Sequence, residues 1–184
     1  MCLIILASSR TEQPCKEQKQ TFSLRNTDSV NSVVFTEDGK KVVSGSDDTT
    51  LKVWSLEGWM LERTLTGHRG RVNSVTLTGD SKRIVSGSND ETLKVWNFET
   101  GELERTLEGH SNRVMSVVLT EDGKRAVSGS YDRTLKVWNL ETGELISSLT
   151  LDAPVLSVSL YDADRTLTII VGDAVGSVYC FDLK

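Results

Sequence analysis

Two sets of residues supply the parts of a hydrolytic centre. His68, Ser86 and Asp90 recur 42 positions later as His110, Ser128 and Asp132. Each set holds a hydroxyl nucleophile, an imidazole able to take its proton and a carboxylate able to orient that imidazole. A triad is needed once, in a cleft, beside donors that hold an oxyanion. Here the same constellation appears twice, each copy followed by a tryptophan, Trp96 and Trp138. Repetition argues for a structural part, and a hydrolase is the weaker alternative.

The elements that must position these residues repeat with them. Trp54, Trp96 and Trp138 stand 42 residues apart, inside the phrases Val43-Ser-Gly-Ser-Asp-Asp-Thr-Thr-Leu-Lys-Val-Trp54, Val85-Ser-Gly-Ser-Asn-Asp-Glu-Thr-Leu-Lys-Val-Trp96 and Val127-Ser-Gly-Ser-Tyr-Asp-Arg-Thr-Leu-Lys-Val-Trp138. A period of this size means stacked or radial units that cannot bury their apolar faces alone. Within each unit four short β-type runs are parted by turn chemistry, as expected of a four-stranded antiparallel meander. Asp38-Gly39 and Asp122-Gly123 suit tight hairpins, with Gly79-Asp80 in their place in the second repeat. Val33-Val34-Phe35 and Val117-Val118-Leu119 are apolar at successive positions, so both faces of the innermost strands are expected to be covered. No segment carries a capped 3.6-residue period, so the fold class is all-β.

Composition narrows the function. A chain of 184 residues with a net charge of −5 has no general electrostatic grip on phosphate backbones or anionic lipid, so neither nucleic acid nor membrane is the expected partner. Cys2, Cys15 and Cys180 form no Cys-x-x-Cys pair and no closed disulfide set, which fits a reducing, cytoplasmic setting. Residues 1–7 are apolar but lack the basic leader of an export signal, and no run reaches the roughly 18 to 20 apolar residues that span a bilayer. Asp47-Asp48 lacks further oxygen ligands at loop spacing, both histidines belong to Gly-His pairs, and no phosphate-binding glycine loop is present. No metal or cofactor is expected.

With Gly67-His68, Gly109-His110, the Ser-Gly-Ser runs, the turn aspartates and the tryptophans in register, the chain resembles the WD-repeat (Trp-Asp repeat) β-propeller family over roughly residues 19 to 184. The Asp that follows Trp in the family is replaced by Ser55, Asn97 and Asn139. The resemblance implies four-stranded blades near 29–66, 72–108, 114–149 and 155–183. The last would be completed by residues 19–24, with 1–18 an N-terminal tail. It also implies a buried hydrogen-bonded chain in each blade: His68, Ser86, Asp90 and Trp96, then His110, Ser128, Asp132 and Trp138. The first repeat keeps Ser44, Asp48 and Trp54 with Asn26 near the His position, and the fourth has Asp152, Val171, Val175 and Phe181 instead.

The family's usual activity implies a scaffold or sensing module that binds a protein or peptide on a rim of loops. Carried over, the contact positions are Asp47, Asn89 and Tyr131 before the turn Asp, with Ser29 and Asn31, Arg71 and Asn73, and Arg113 and Met115 at the start of each innermost strand. With Arg25, Arg69 and Arg133 nearby, this rim is expected to be locally basic and to suit an acidic partner. Four blades fill a ring poorly, since wedges opened to a quarter circle leave voids. Two chains joined as an eight-bladed homodimer are the preferred architecture. A half-propeller belonging to a longer protein, or a purely structural oligomer, is the rival.

Overall fold

The computed structural model describes residues 25–163 and 166–183, and every element in it is a strand. Blade 1 comprises β1 (Val30–Phe35), β2 (Lys41–Ser46), β3 (Leu51–Ser55) and β4 (Met60–Leu65). Blade 2 follows as β5 (Val72–Leu77), β6 (Arg83–Ser88), β7 (Leu93–Asn97) and β8 (Leu103–Leu107). Blade 3 is β9 (Val114–Leu119), β10 (Arg125–Ser130), β11 (Thr134–Asn139) and β12 (Leu145–Thr150). Blade 4 has three strands, β13 (Val155–Ala163), β14 (Thr166–Asp173) and β15 (Val178–Leu183). All are antiparallel meanders in chain order. The strand expected over 19–24 to complete blade 4, and the tail 1–18, lie outside the described residues.

The first hairpins turn on a residue with positive φ, which is Gly39 (67°) in blade 1 and Gly123 (66°) in blade 3. In blade 2 that position falls on Ser81 (54°), not on Gly79 as the Gly79-Asp80 pair suggested. The turn keeps its shape because Thr78 Oγ1 bonds Asp80 Oδ1 at 2.7 Å and the Ser81 N–H donates to the Thr78 carbonyl at 2.8 Å.

Blades stack through one repeated contact. A Cβ on Gly45 would stand 2.6 Å from Val75 Cγ2 and 2.7 Å from Val72 Cγ1, so the Ser-Gly-Ser glycine is the hole that the next blade's valines fill. Gly87 receives Val114 in the same way, and Gly129 receives Val155 and Val158. Val43, Leu51 and Val53 form one side of the first such core, with Val72, Val75, Ile84 and Trp96 on the other. Serines stitch the same seam: Ser32 Oγ accepts from the Val75 N–H at 3.1 Å, Ser74 Oγ from Val117 and Ser116 Oγ from Val158, both at 3.1 Å.

The stack is an open arc. The innermost strands pack in the order β1, β5, β9, β13, and no comparable packing joins β13 back to β1. The expectation that both faces of every innermost strand are covered therefore fails at β1. Val33 is 60% and Phe35 61% exposed, whereas Val75 in the matching place is 6% exposed, because among the described residues no further strand packs on the outer side of β1.

Candidate functional site

The two His-Ser-Asp sets form closed chains of hydrogen bonds that run across their blades. Trp96 Nε1 donates to Ser86 Oγ at 2.9 Å, His68 Nε2 lies 2.8 Å from that oxygen, and His68 Nδ1 lies 2.7 Å from Asp90 Oδ2. In blade 3, Trp138 Nε1 to Ser128 Oγ is 2.8 Å, Ser128 to His110 Nε2 2.7 Å and His110 Nδ1 to Asp132 Oδ2 2.8 Å. One proton arrangement satisfies every member. Each indole N–H donates to the serine, each serine hydroxyl to a neutral Nε2, and each Nδ1–H to the carboxylate.

Burial lowers the His110 imidazole below its ordinary value, against the opposing pull of Asp132. Burial alone would raise Asp132, but the Thr134 hydroxyl, the Ser111 N–H and His110 outweigh it and hold that carboxyl at about 2. Asp90 is likewise held below the usual range, with burial opposed by His68, the Arg69 N–H and Thr92. Ser86 and Ser128 are wholly buried, so no substrate carbonyl has a path to either hydroxyl. The arrangement braces the loop before one blade against the turn inside it.

The outer blades differ. In blade 1 Asn26 takes the His position and its Nδ2 donates to Ser44 Oγ at 3.1 Å, while Trp54 Nε1 donates to the same oxygen at 2.9 Å. The asparagine is too short for Asp48, and its Oδ1 is buried without a partner. Asp48 is served instead by Lys52 Nζ at 2.6 Å and Thr27 Oγ1 at 2.8 Å. In blade 4 the His position belongs to Leu151, a core residue, and Asp152 is exposed one place beyond it. The register of β13 on β14 counts this out, since Val155 pairs with Asp173 as Val114 pairs with Ser130. A different brace replaces the relay there, in which Asp173 Oδ1 accepts from the Val175 and Ser177 N–H groups at 3.0 and 2.7 Å.

The rim positions lie at the same end of the blades as these braces. In each blade a backbone bond ties the two sets together: the Asp47 N–H to the Ser29 carbonyl, Asn89 to Arg71 and Tyr131 to Arg113, all 2.9 Å. Asn31, Asn73 and Met115 are the extra residues of bulges between Val30 and Ser32, Val72 and Ser74, and Val114 and Ser116. A bulge re-aims its side chain, and here it does so at the equivalent place in every blade. Asn31 Nδ2 reaches Asp47 Oδ1 at 2.7 Å and the Val72 carbonyl at 3.0 Å; Asn73 Nδ2 reaches Asn89 Oδ1 and the Val114 carbonyl, both at 2.8 Å. These asparagines thus tie neighbouring blades together as well as lining the rim.

The charge on this rim is graded. Arg71 Nη1 lies 3.3 Å from Asp47 Oδ2, which offsets one of the cations expected to face a partner. Arg113 is exposed and forms no ion pair with the described residues, since Asn89 stands where Asp47 does in the blade before. Tyr131 is 41% exposed. Blade 4 adds Pro154, Leu156 and Ala174 at the matching places, closed by an Ala174 N–H to Pro154 carbonyl bond of 2.9 Å. The sequence reading missed these three, although they flank Val155 and follow its partner Asp173. Among the described residues no cluster of metal-ligating side chains occurs, and no helix is long and apolar enough to cross a membrane.

Comparison with known proteins agrees with this architecture. A family model described as "WD domain, G-beta repeat" matches residues 16–55 and 59–97, and one described as "TEP-1 C-terminal beta-propeller" matches 110–182. The "Probable E3 ubiquitin ligase complex SCF subunit sconB" of Emericella nidulans is 45% identical over 56 residues, 30% of this chain and 8% of that protein. The "Nuclear distribution protein PAC1" of Tuber melanosporum is 52% identical over 40 residues, 22% of this chain and 9% of that protein. The matched segments thus span under a tenth of either relative. The solved structure of U3-55K has the same fold, with a TM-score of 0.75 over 86% of this chain and 53% of that one at 20% identity. With its repeated Gly-His, Ser-Gly-Ser and Trp framework folded into antiparallel blades, the chain belongs to the WD-repeat β-propeller family.

Proposed function

We propose that the chain is an interaction scaffold that presents the bulged rim to a protein or peptide, and that it carries no catalytic activity of its own. The observation that carries this reading is the pairing of Tyr131 with Arg113, an exposed aromatic and an exposed cation without an ion pair among the described residues, held by one backbone bond. Both are residue types enriched at binding hot spots. Arg113 calls for a carboxylate. Met115 and Leu156, at matching bulges of neighbouring blades, call for an aliphatic side chain beside it, so the partner is a short acidic segment with an apolar anchor. The names of the relatives fit a role in assembly, since sconB is a subunit of an SCF complex. A protein partner, with neither nucleic acid nor membrane involved, and a cytoplasmic setting complete the reading.

A second reading, a structural oligomer without an external ligand, draws support from the exposed Val33 and Val178 at the two ends of the arc. The rim reading holds for the arc alone and for a homodimeric ring. It is tested by capture from source lysate with four forms of the chain. A polypeptide retained by the wild type and by Lys82→Glu with Lys124→Glu on the opposite rim, but lost with Arg113→Glu and with Tyr131→Ala, is the expected result. Equal retention by all forms would remove the rim as the contact.

A further inference from the structure

The contact that joins each blade to the next is left half-made at both ends of the arc, and the two halves match. On blade 4, Gly172 stands where Gly45, Gly87 and Gly129 stand, yet a Cβ there would meet only Ser157 Cβ at 3.9 Å. Around this hole, Ile170 is 37% and Val178 74% exposed, whereas Val43 and Leu51 in the same places of blade 1 are wholly buried. On blade 1, Val30 and Val33 stand where Val72 and Val75 fill Gly45, and they are 47% and 60% exposed. The serine stitch is open too. Ser157 follows Ser32, Ser74 and Ser116 in register, and the backbone it would meet, counted on from Val75, Val117 and Val158, is that of Val33.

We infer that a second copy of this chain closes the arc: its Val30 and Val33 seat over Gly172, its Val33 N–H donates to Ser157 Oγ, and the reciprocal contact completes a two-fold ring. The interface continues the three already made inside the chain, so it needs no new shape. Head-to-tail contacts form closed rings only when the rotation per unit divides a turn. Two four-blade copies give eight blades, within the range of roughly four to eight that closed propellers adopt. The inference goes beyond the rim reading and does not depend on it.

The test is light scattering coupled to size exclusion on the full chain across a dilution series, with two variants beside it. The expected mass is twice the 20.3 kDa of one chain. Gly172→Val has room within its own chain but fills the hole, and Val33→Lys puts a charge on a side chain already exposed. Each is expected to return the mass to that of one chain with an unchanged far-UV spectrum and intrinsic fluorescence. A wild-type monomer throughout the series, a dimer that survives both variants, or a ladder of larger masses would overturn the inference. Arg113→Glu is expected to leave the mass unchanged, which separates failure of the rim reading from failure of this one.

Discussion

Lys52 Nζ lies 2.6 Å from Asp48 Oδ2, on the carboxylate oxygen that accepts from a histidine in the next two blades. The equivalent lysines turn the other way, Lys94 to Thr106 Oγ1 and Lys136 to Ser148 Oγ, both at 2.9 Å. Asn26 explains the difference: an amide cannot reach the carboxylate, so the lysine does, and the carboxyl of Asp48 is held below its usual range despite burial.

Asn26→His is therefore expected to stabilise the chain. The new imidazole would bridge Ser44 and Asp48, remove the unpartnered Asn26 Oδ1 and let Lys52 turn to Thr64, which pairs with it across the strands as Thr106 does with Lys94. The gain is about 1 kcal/mol, the usual cost of a buried polar atom without a partner. Urea denaturation measures it. A lower midpoint would mean that the lysine pair is the better brace.

His110→Ala acts in the opposite direction. It leaves Ser128 without an acceptor for its proton and removes one of the donors to Asp132 inside the blade. A loss of roughly 1 to 3 kcal/mol is expected. An unchanged melting transition would mean the chain of bonds carries no stability.

Acid should weaken the fold by the same route. The folded His110 has a lower affinity for protons than the unfolded residue, whose value is 6.5, so its contribution is complete above about 6.5 and declines as pH falls toward the folded value. Asp132, at about 2 against 3.8 unfolded, adds a second loss between those two values. Urea midpoints from pH 8 to pH 5 should fall, and His110→Asn, which copies blade 1, should fall less over that range. Midpoints that rise with acid would contradict the neutral-imidazole arrangement.

The turn after each brace is strained. Thr49, Glu91 and Arg133 sit at φ of 70°, 71° and 69°, a region that β-branched residues rarely adopt, and blade 4 places Gly176 there at 91°. Thr49→Gly should therefore raise stability by about 1 kcal/mol, the steric cost of that region for a side chain. A loss on thermal melting would show that Thr49 makes up for its strain through contacts.

The strands, the turn glycines and the Trp-Ser-His-Asp chains were legible because a 42-residue period states each of them more than once. What escaped was whatever depends on a neighbour. Lys52, Lys94 and Lys136 occupy identical phrases, and only the residue 26 places before the first of them decides where it turns. The bulges at Asn31, Asn73 and Met115 come from register between strands, which no local pattern encodes. Exposure of Val33 depends on what packs on the outer side of β1, where no other described strand lies, while its sequence environment matches that of the buried Val75. The offset of one rim cation escaped for the same reason, since Arg71 looks free until Asp47 of the preceding blade is placed beside it.

We propose that the serine-histidine-aspartate chains brace the loop before blades 2 and 3 against the turn inside each blade, and do no hydrolysis. Exposure of the native chain to a fluorophosphonate, followed by intact mass, tests it most directly, because that probe modifies serines activated by histidine. Ser86 and Ser128 are wholly buried with their hydroxyls committed, so no added mass is expected. Labelling of Ser128 that disappears in His110→Ala would contradict the account and make the repeated chain a catalytic centre.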